Sequence, residues 1–172
     1  MTENPAPELH RMTDATRFDG KPIVITADAA ERAALAKRFG LISIDRLSAE
    51  VTLVPDGTAV LANGTLKASV VQSCAVSGED LPVRIEEPLA LRFVPEAEMV
   101  AEEEEIELTE EELDEIPFTG RSFDLGEAIA QSLALAIDPY ATGPKADEVR
   151  ASGKIGDAAA SGPFSALAKL KS

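Results

Sequence analysis

The chain has one cysteine and one histidine, which are its first candidates for nucleophilic or metal-binding chemistry. A thiol becomes a good nucleophile when a base or a positive charge lowers its pKa. No such residue adjoins Cys74, and its position continues the inward-facing set of a predicted strand, so we predict a small buried residue. His10 lies in a polar segment, and we expect a free surface imidazole.

The sequence gives little support to metal or cofactor chemistry. One Cys and one His cannot provide the four nitrogen or sulfur ligands of a structural zinc site. Gly64 is an isolated glycine within a strand pattern, which favours a bulge or twist over a phosphate-binding loop. We therefore expect no cofactor and no bound metal.

The acidic side chains are concentrated in one segment. Residues 96–115 contain 12 Asp or Glu and no Lys or Arg, whereas the whole chain has 31 acids, 16 bases and a formal charge of −15. The successive carboxylates Glu102, Glu103, Glu104 and Glu105 repel one another and predict a mobile acidic loop. The segment lacks the spacing of a calcium loop. The alternative is docking on a basic partner, such as a ribosomal protein, or mimicry of a phosphate backbone.

Basic residues in the N-terminal part could form a modest positive face. Arg32, Lys37 and Arg38 are the candidate partner-binding residues within it. Scattered solvating charge is the alternative interpretation, and the absence of clustered aromatic residues argues against direct nucleic-acid recognition. The full set is Arg11, Arg17, Lys21, Arg32, Lys37, Arg38 and Arg46.

A helix near the N-terminus should present three of these basic residues. Asp28 and Glu31 have the spacing of a capping box, which satisfies backbone donors at a helix start. Gly40 suits the left-handed conformation of a helix C-cap. The sequence therefore predicts a short helix between these positions.

The following residues have the period of strands. Apolar residues alternate with polar ones over 47–53 and 60–70, and they share one face at 83, 85, 89, 91 and 93, which predicts an antiparallel meander. Pro88 lacks a backbone donor and predicts an edge position or a bulge. We predict an α+β fold, in which helices cover an antiparallel β-meander sheet that carries an acidic loop and flexible termini.

A second helix is predicted over residues 125–137, and Pro139 ends it. Ser122 or Asp124 can cap its first turn, and Glu127 complements its dipole. We therefore expect mainly capping roles for Asp124 and Glu127. Contact with a partner is the alternative for both.

The chain divides by composition into a central domain and two terminal segments. We predict a polar N-terminal arm over residues 1–19, an α+β domain over 20–140 and a flexible C-terminal tail over 141–172. Phe164 and Leu167 have helical spacing near the end of the tail. They predict a terminal helix that frays or docks on its own domain, or else an anchor for a partner.

Several segments occur in the order found in one known family. They are residues 28–31 with 39–41, the turn at Cys74, 89–93 before a Glu-rich insert, 123–127, 133–140 and 163–171. Together they resemble the YceD-like family in its alphaproteobacterial form. The resemblance covers residues 21–140 and the tail, and it implies a role in accumulation of large-subunit ribosomal RNA.

The family-motif positions of this chain are Cys74, Ser77, Asp124, Leu125 and Gly126. Many relatives in the YceD-like family have a second Cys three positions after the first, where this chain has Ser77. No Cys pair is therefore present for a metal or redox role. The resemblance supplies no catalytic residue.

The resemblance implies a non-enzymatic ribosome-biogenesis factor that acts through ribosomal or rRNA-processing proteins. The alternative is direct RNA binding by the N-terminal basic face, with the acidic loop as a competing lid. A hydrolase has less support because no nucleophile–base set can be assembled. No apolar stretch approaches the roughly 18 residues of a membrane helix, and no secretory signal is evident, so we expect a cytoplasmic protein without membrane contact.

Overall fold

Three long neighbouring strands form the centre of the fold. The computed structural model describes residues 8–98 and 114–152. Within them, the strands are β1 (Met12–Asp14), β2 (Ile23–Thr26), β3 (Ser43–Asp56), β4 (Ala59–Ser73), β5 (Asp80–Pro95), β6 (Asp114–Phe118) and β7 (Ser122–Asp124). The helices are α1 (Ala29–Phe39), α2 (Leu125–Ala136) and α3 (Lys145–Ala151).

The main sheet has the order β2-β3-β4-β5-β6, and β1 pairs with β7 in a separate two-stranded sheet. Neighbours in the main sheet are antiparallel except β6, which runs parallel to β5. A parallel pair needs a long connection, and the residues between Pro95 and Asp114 supply that length. The predicted meander is confirmed as β3-β4-β5, and the α+β class is confirmed with it.

Alternate residues of the long strands form the core, as their sequence period predicts. Val51, Leu66 and Phe93 are completely buried on the covered face, whereas Glu50 and Lys67 are exposed on the opposite face. The helix α1 packs against β3, and α2 contacts β1, β4 and β5. The second face of the sheet therefore remains open to solvent in the described part of the chain.

The predicted capping box of α1 is present. The Asp28 carboxylate accepts the Glu31 N–H at 2.8 Å, and the Glu31 carboxylate accepts the Asp28 N–H at 2.8 Å. Gly40 ends the helix with φ of 66°. These local contacts explain why a helix rich in alanine begins and ends where it does.

Both predicted terminal segments have parts that pack on the domain. Leu9 in the N-terminal arm is completely buried, and β1 lies in the same arm. The helix α3 lies in the predicted C-terminal tail, where Ala146 is buried and Glu79 accepts the Lys145 N–H at 2.9 Å. The expected tail helix with Phe164 and Leu167, and the run Glu102–Glu105, lie outside the described residues.

Gly64 has a different role from the bulge or twist that we predicted. It pairs with Val51 in an unbroken register, and the register shift of this strand pair lies between Ile44 and Arg46 instead. A Cβ at Gly64 would lie only 1.9 Å from the Glu50 carbonyl oxygen. The neighbouring backbone therefore excludes any side chain at this position.

Gly64→Ala should destabilise the fold, because the rigid β3 backbone would have to move away from the new methyl group. We expect a loss of about 1–3 kcal/mol in the free energy of unfolding, measured by urea denaturation. Asn63→Ala changes an exposed neighbour on the same strand and should have little effect. Equal stability of the two variants would contradict this interpretation.

Candidate functional site

The Asp124 carboxylate organises the start of α2. It accepts the Glu127 N–H at 3.2 Å and so caps the helix. It also accepts the Arg11 N–H at 2.9 Å, and its second oxygen lies 2.6 Å from Nδ1 of His10. The Asp124 side chain thus both caps α2 and holds the N-terminal arm. His10 contacts this carboxylate and is not the free imidazole that we expected.

Gly126 allows the arm to cross the first turn of α2. A Cβ at Gly126 would lie 2.6 Å from the Leu9 carbonyl oxygen and 2.8 Å from the Arg11 nitrogen. The Leu125 N–H donates to the Arg11 carbonyl at 3.1 Å, and both Leu9 and Leu125 are completely buried. Packing of the arm therefore explains the motif positions Asp124, Leu125 and Gly126.

Ion pairs join α1 to α2 and to the arm. Both nitrogens of the Arg38 guanidinium donate to Glu127, at 3.0 and 2.8 Å, and Arg38 also donates to Glu8 at 3.1 Å. Arg11 donates to both oxygens of Glu31, at 2.6 and 3.0 Å. The bonds from Arg38 and Arg11 lower the pKa values of Glu127 and Glu31, respectively.

The predicted positive face is only partly assembled. Arg11 and Arg38 are engaged by carboxylates, and Arg32 donates to the Ala27 carbonyl at 2.8 Å. Arg32 and Lys37 line a shallow cavity of about 370 Å³ beside α1, where Ile42 is half exposed. No RNA-stacking aromatic lines this cavity in the described residues.

A larger groove lies beside the junction of the arm and α2. Its volume is about 520 Å³, and β1, β6, β7 and the start of α2 enclose it. Its lining contains an aromatic cluster in which the Phe93 and Phe123 rings stack at 3.9 Å between centroids. Met12 is exposed at the edge, and the rim has three carboxylates and no Lys or Arg among the described residues. The rim carboxylates belong to Glu96, Asp124 and Glu127.

The helix-cap pattern predicted two of the groove residues, Asp124 and Glu127. The groove itself could not be predicted from local patterns, because Met12, Pro117 and Gln131 reach one site from three separate elements. Only the cap residues Asp124 and Glu127 had a local signal in the sequence. The predicted candidates Arg32, Lys37 and Arg38 do not line this groove.

Cys74 is buried, as predicted, at the end of β4. Its sulfur accepts the N–H groups of Ser77 at 3.3 Å and Gly143 at 3.4 Å. Hydrogen bonding from Ser77, followed by these backbone donors, lowers the pKa of the Cys74 thiol to about 6. Ser77 thus lies against the sulfur. No base is among the groups that lower this pKa.

Gly126→Ala should loosen the arm, although alanine by itself favours a helix over glycine. The new methyl group would collide with the arm backbone, so we expect a loss of about 1–3 kcal/mol of stability. Hydrogen exchange should also accelerate at the Arg11 amide. A variant as stable as the original protein, with slow exchange at Arg11, would contradict this role.

Cys74 should make stability depend on pH. The pKa of Cys74 is about 6 in the fold and about 9 without these donors. The folded state therefore loses the thiol proton at a lower pH than the unfolded state does. The contribution of Cys74 ionisation to the free energy of unfolding is therefore absent below about pH 6. It grows as the pH rises to about 9 and is fully present above that value. The stability difference between the protein and Cys74→Ala should increase over this window in urea denaturation. Ser77→Ala should raise the midpoint of thiolate absorbance, and a pH-independent difference would refute the assignment.

None of the helices in the described ranges could span a membrane, and these ranges contain no group of three His, Cys, Asp or Glu residues suited to a metal ion. A search of curated proteins and a search of solved structures found no significant match. The family model described as "Large ribosomal RNA subunit accumulation protein YceD" matches residues 62–171. This match begins in β4 and includes Cys74, Gly126 and the residues of α2. The chain therefore belongs to the YceD family, whose description assigns its members to accumulation of the large-subunit ribosomal RNA.

Proposed function

We propose that this chain is a non-enzymatic, cytoplasmic ribosome-biogenesis factor. It supports accumulation or processing of large-subunit rRNA by binding ribosomal or rRNA-processing proteins. The groove beside the arm is the observation that carries this proposal, because it combines an apolar floor with an acidic rim. Glu96 is the exposed carboxylate of this rim, whereas Asp124 and Glu127 are hydrogen-bonded within the fold. Such a surface suits a protein segment that has both apolar and cationic side chains.

The charge of the chain supports a basic partner. A formal charge of −15 produces a negative field, which accelerates encounter with a cationic protein at low salt. Glu96 is exposed at the groove rim, where the acid-rich residues 96–115 begin. Long-range attraction and the local groove therefore favour the same class of partner.

The described residues argue for binding rather than catalysis. His10 and Asp124 form a pair, but no hydroxyl or thiol in the described ranges hydrogen-bonds to the second nitrogen of His10. A serine or cysteine nucleophile needs such a base within reach. Cys74 is buried and has backbone donors instead of a base.

Direct RNA binding by the N-terminal basic face has less support. Arg11 and Arg38 bind carboxylates within the fold, so fewer cations remain for phosphates. RNA binding of this kind predicts an affinity that falls steeply with salt and rises when residues 96–115 are removed. Salt-independent or absent binding in both forms would exclude it.

The proposed function can be tested by deleting the gene and complementing the strain. Deletion should lower large-subunit rRNA relative to small-subunit rRNA and should reduce large subunits in sedimentation profiles. Glu96→Lys combined with Gln131→Lys cancels the net charge of the three rim carboxylates without changing the cap residue Asp124. We expect it to weaken partner binding by about tenfold or more and to restore rRNA poorly.

A matched control places the same charge change on the open face of the sheet. Glu50→Lys combined with Asn63→Lys alters one exposed acid and one exposed amide and should restore rRNA fully. Equal rescue by both double variants would refute the groove as the docking site. Normal large-subunit rRNA in the deletion strain would refute the function itself.

A further inference from the structure

One edge of the sheet is largely uncovered. The strand β5 extends from Asp80 to Pro95, but β6 pairs only with its last five residues, from Leu91 onward. On the side away from β4, no other strand of the described chain pairs with residues 80–90. Over these eleven residues, the backbone groups that point away from β4 are open to pairing with a further strand.

The hairpin between β4 and β5 shows which residues of β5 point their backbone groups away from β4. The Cys74 N–H donates to the Glu79 carbonyl at 2.8 Å, which marks a hydrogen-bonded pair. Pairs alternate along an antiparallel ladder, and the β4–β5 register is unbroken, so even-numbered residues of β5 direct their N–H and C=O groups away from β4.

Pro82 and Pro88 agree with this phase. Both occupy even-numbered positions, where the missing N–H costs no bond to β4. The edge thus keeps outward N–H groups at Arg84, Glu86 and Ala90. The predicted edge position of Pro88 is confirmed among the described residues, and β5 passes through Pro88 without a bulge.

A second groove, distinct from the groove beside the arm, runs along this edge of β5. It has a volume of about 250 Å³ and lies between β5 and α2. Leu89 and Ala136 line it, and Leu135 borders it with 80% of its surface exposed. Asp114, the first residue of β6, also lines the groove, so the groove continues the line that β6 occupies. Side chains of an added strand could pack here against α2.

The charge along this edge favours one class of binding partner over another. Asp80, Glu86, Glu87 and Asp114 are exposed acids, and Arg84 is the exposed base between them. Lys67 lies 3.5 Å from Glu86 and offsets part of this charge. A second copy of a chain with a formal charge of −15 would be repelled, whereas a cationic segment would be attracted.

We propose that the free edge of β5 binds an extended, lysine- or arginine-containing segment of a protein partner as an additional strand. This inference rests on the proposed function, since it specifies how such a partner binds. Backbone bonds to Arg84 and Glu86 supply affinity, and apolar side chains in the groove beside Leu135 supply selectivity. Pro82 and Pro88 limit the bound segment to a short stretch.

The test removes one outward N–H and leaves the β4 ladder intact. Glu86→Pro has the same phase as the two natural prolines, and Glu86→Ala removes the same carboxylate while it keeps the N–H. The probe is a capped octapeptide of alternating Lys and Val, titrated into the full chain. We expect it to slow hydrogen exchange at Arg84 and Glu86, and to bind Glu86→Pro about five- to tenfold more weakly than Glu86→Ala.

Slow exchange at Val83 and Ile85 in the free Glu86→Pro variant serves as the check that the β4 ladder is intact. Absence of peptide binding, equal binding by the two variants, or protection confined to amides outside β5 would overturn the proposal. Self-association that Glu86→Pro abolishes would also overturn it, because the occupant would then be a second copy.

Loss of rRNA in the deletion strain with no binding at the edge rejects only this inference. Binding at the edge with normal rRNA rejects only the proposed function.

Discussion

The contact between the N-terminal arm and the first turn of α2 is the constraint on which the candidate site depends. A helix start leaves backbone donors unsatisfied, and Asp124 accepts one of them while it also accepts the Arg11 N–H of the arm. The same arm buries Leu9 and is possible only because Gly126 has no side chain. Without this contact, one wall of the groove beside Met12 would be lost. Residues 124–126 therefore shape the groove, and under the proposed function they would affect partner binding only indirectly.

The distribution of ion pairs explains how an acidic chain can fold and still attract partners. Three arginines are engaged by carboxylates at junctions between elements: Arg11 by Glu31, Arg38 by Glu127, and Arg92 by Asp56 and Glu115. Such partly exposed pairs contribute modestly to stability, so their main effect is to orient neighbouring elements. Glu96 at the groove, and Asp80, Glu87 and Asp114 along the free edge of β5, are exposed acids outside these pairs.

The parts of the fold that local chemistry determines could be predicted from the sequence. The capping box of Asp28 and Glu31, the C-cap at Gly40 and the alternation in β3, β4 and β5 each involve neighbouring residues. The burial of Leu9 could not be predicted, because its partner Leu125 lies more than a hundred residues away. The parallel pairing of β6 and the short helix α3 depend in the same way on distant contacts. The groove shares this limitation, and only its cap residues had a local signal.

The groove and the free edge of β5 adjoin the same short strand. Asp114 at the start of β6 borders the free edge, and Ile116, Pro117 and Phe118 further along border the groove. Among the described residues, β6 pairs with only the last five residues of β5, so it borders the groove and leaves residues 80–90 of β5 without a described partner strand. Both sites combine apolar side chains with exposed carboxylates. A single cationic partner that is partly extended could therefore contact both, and the second contact would gain from the high local concentration set by the first.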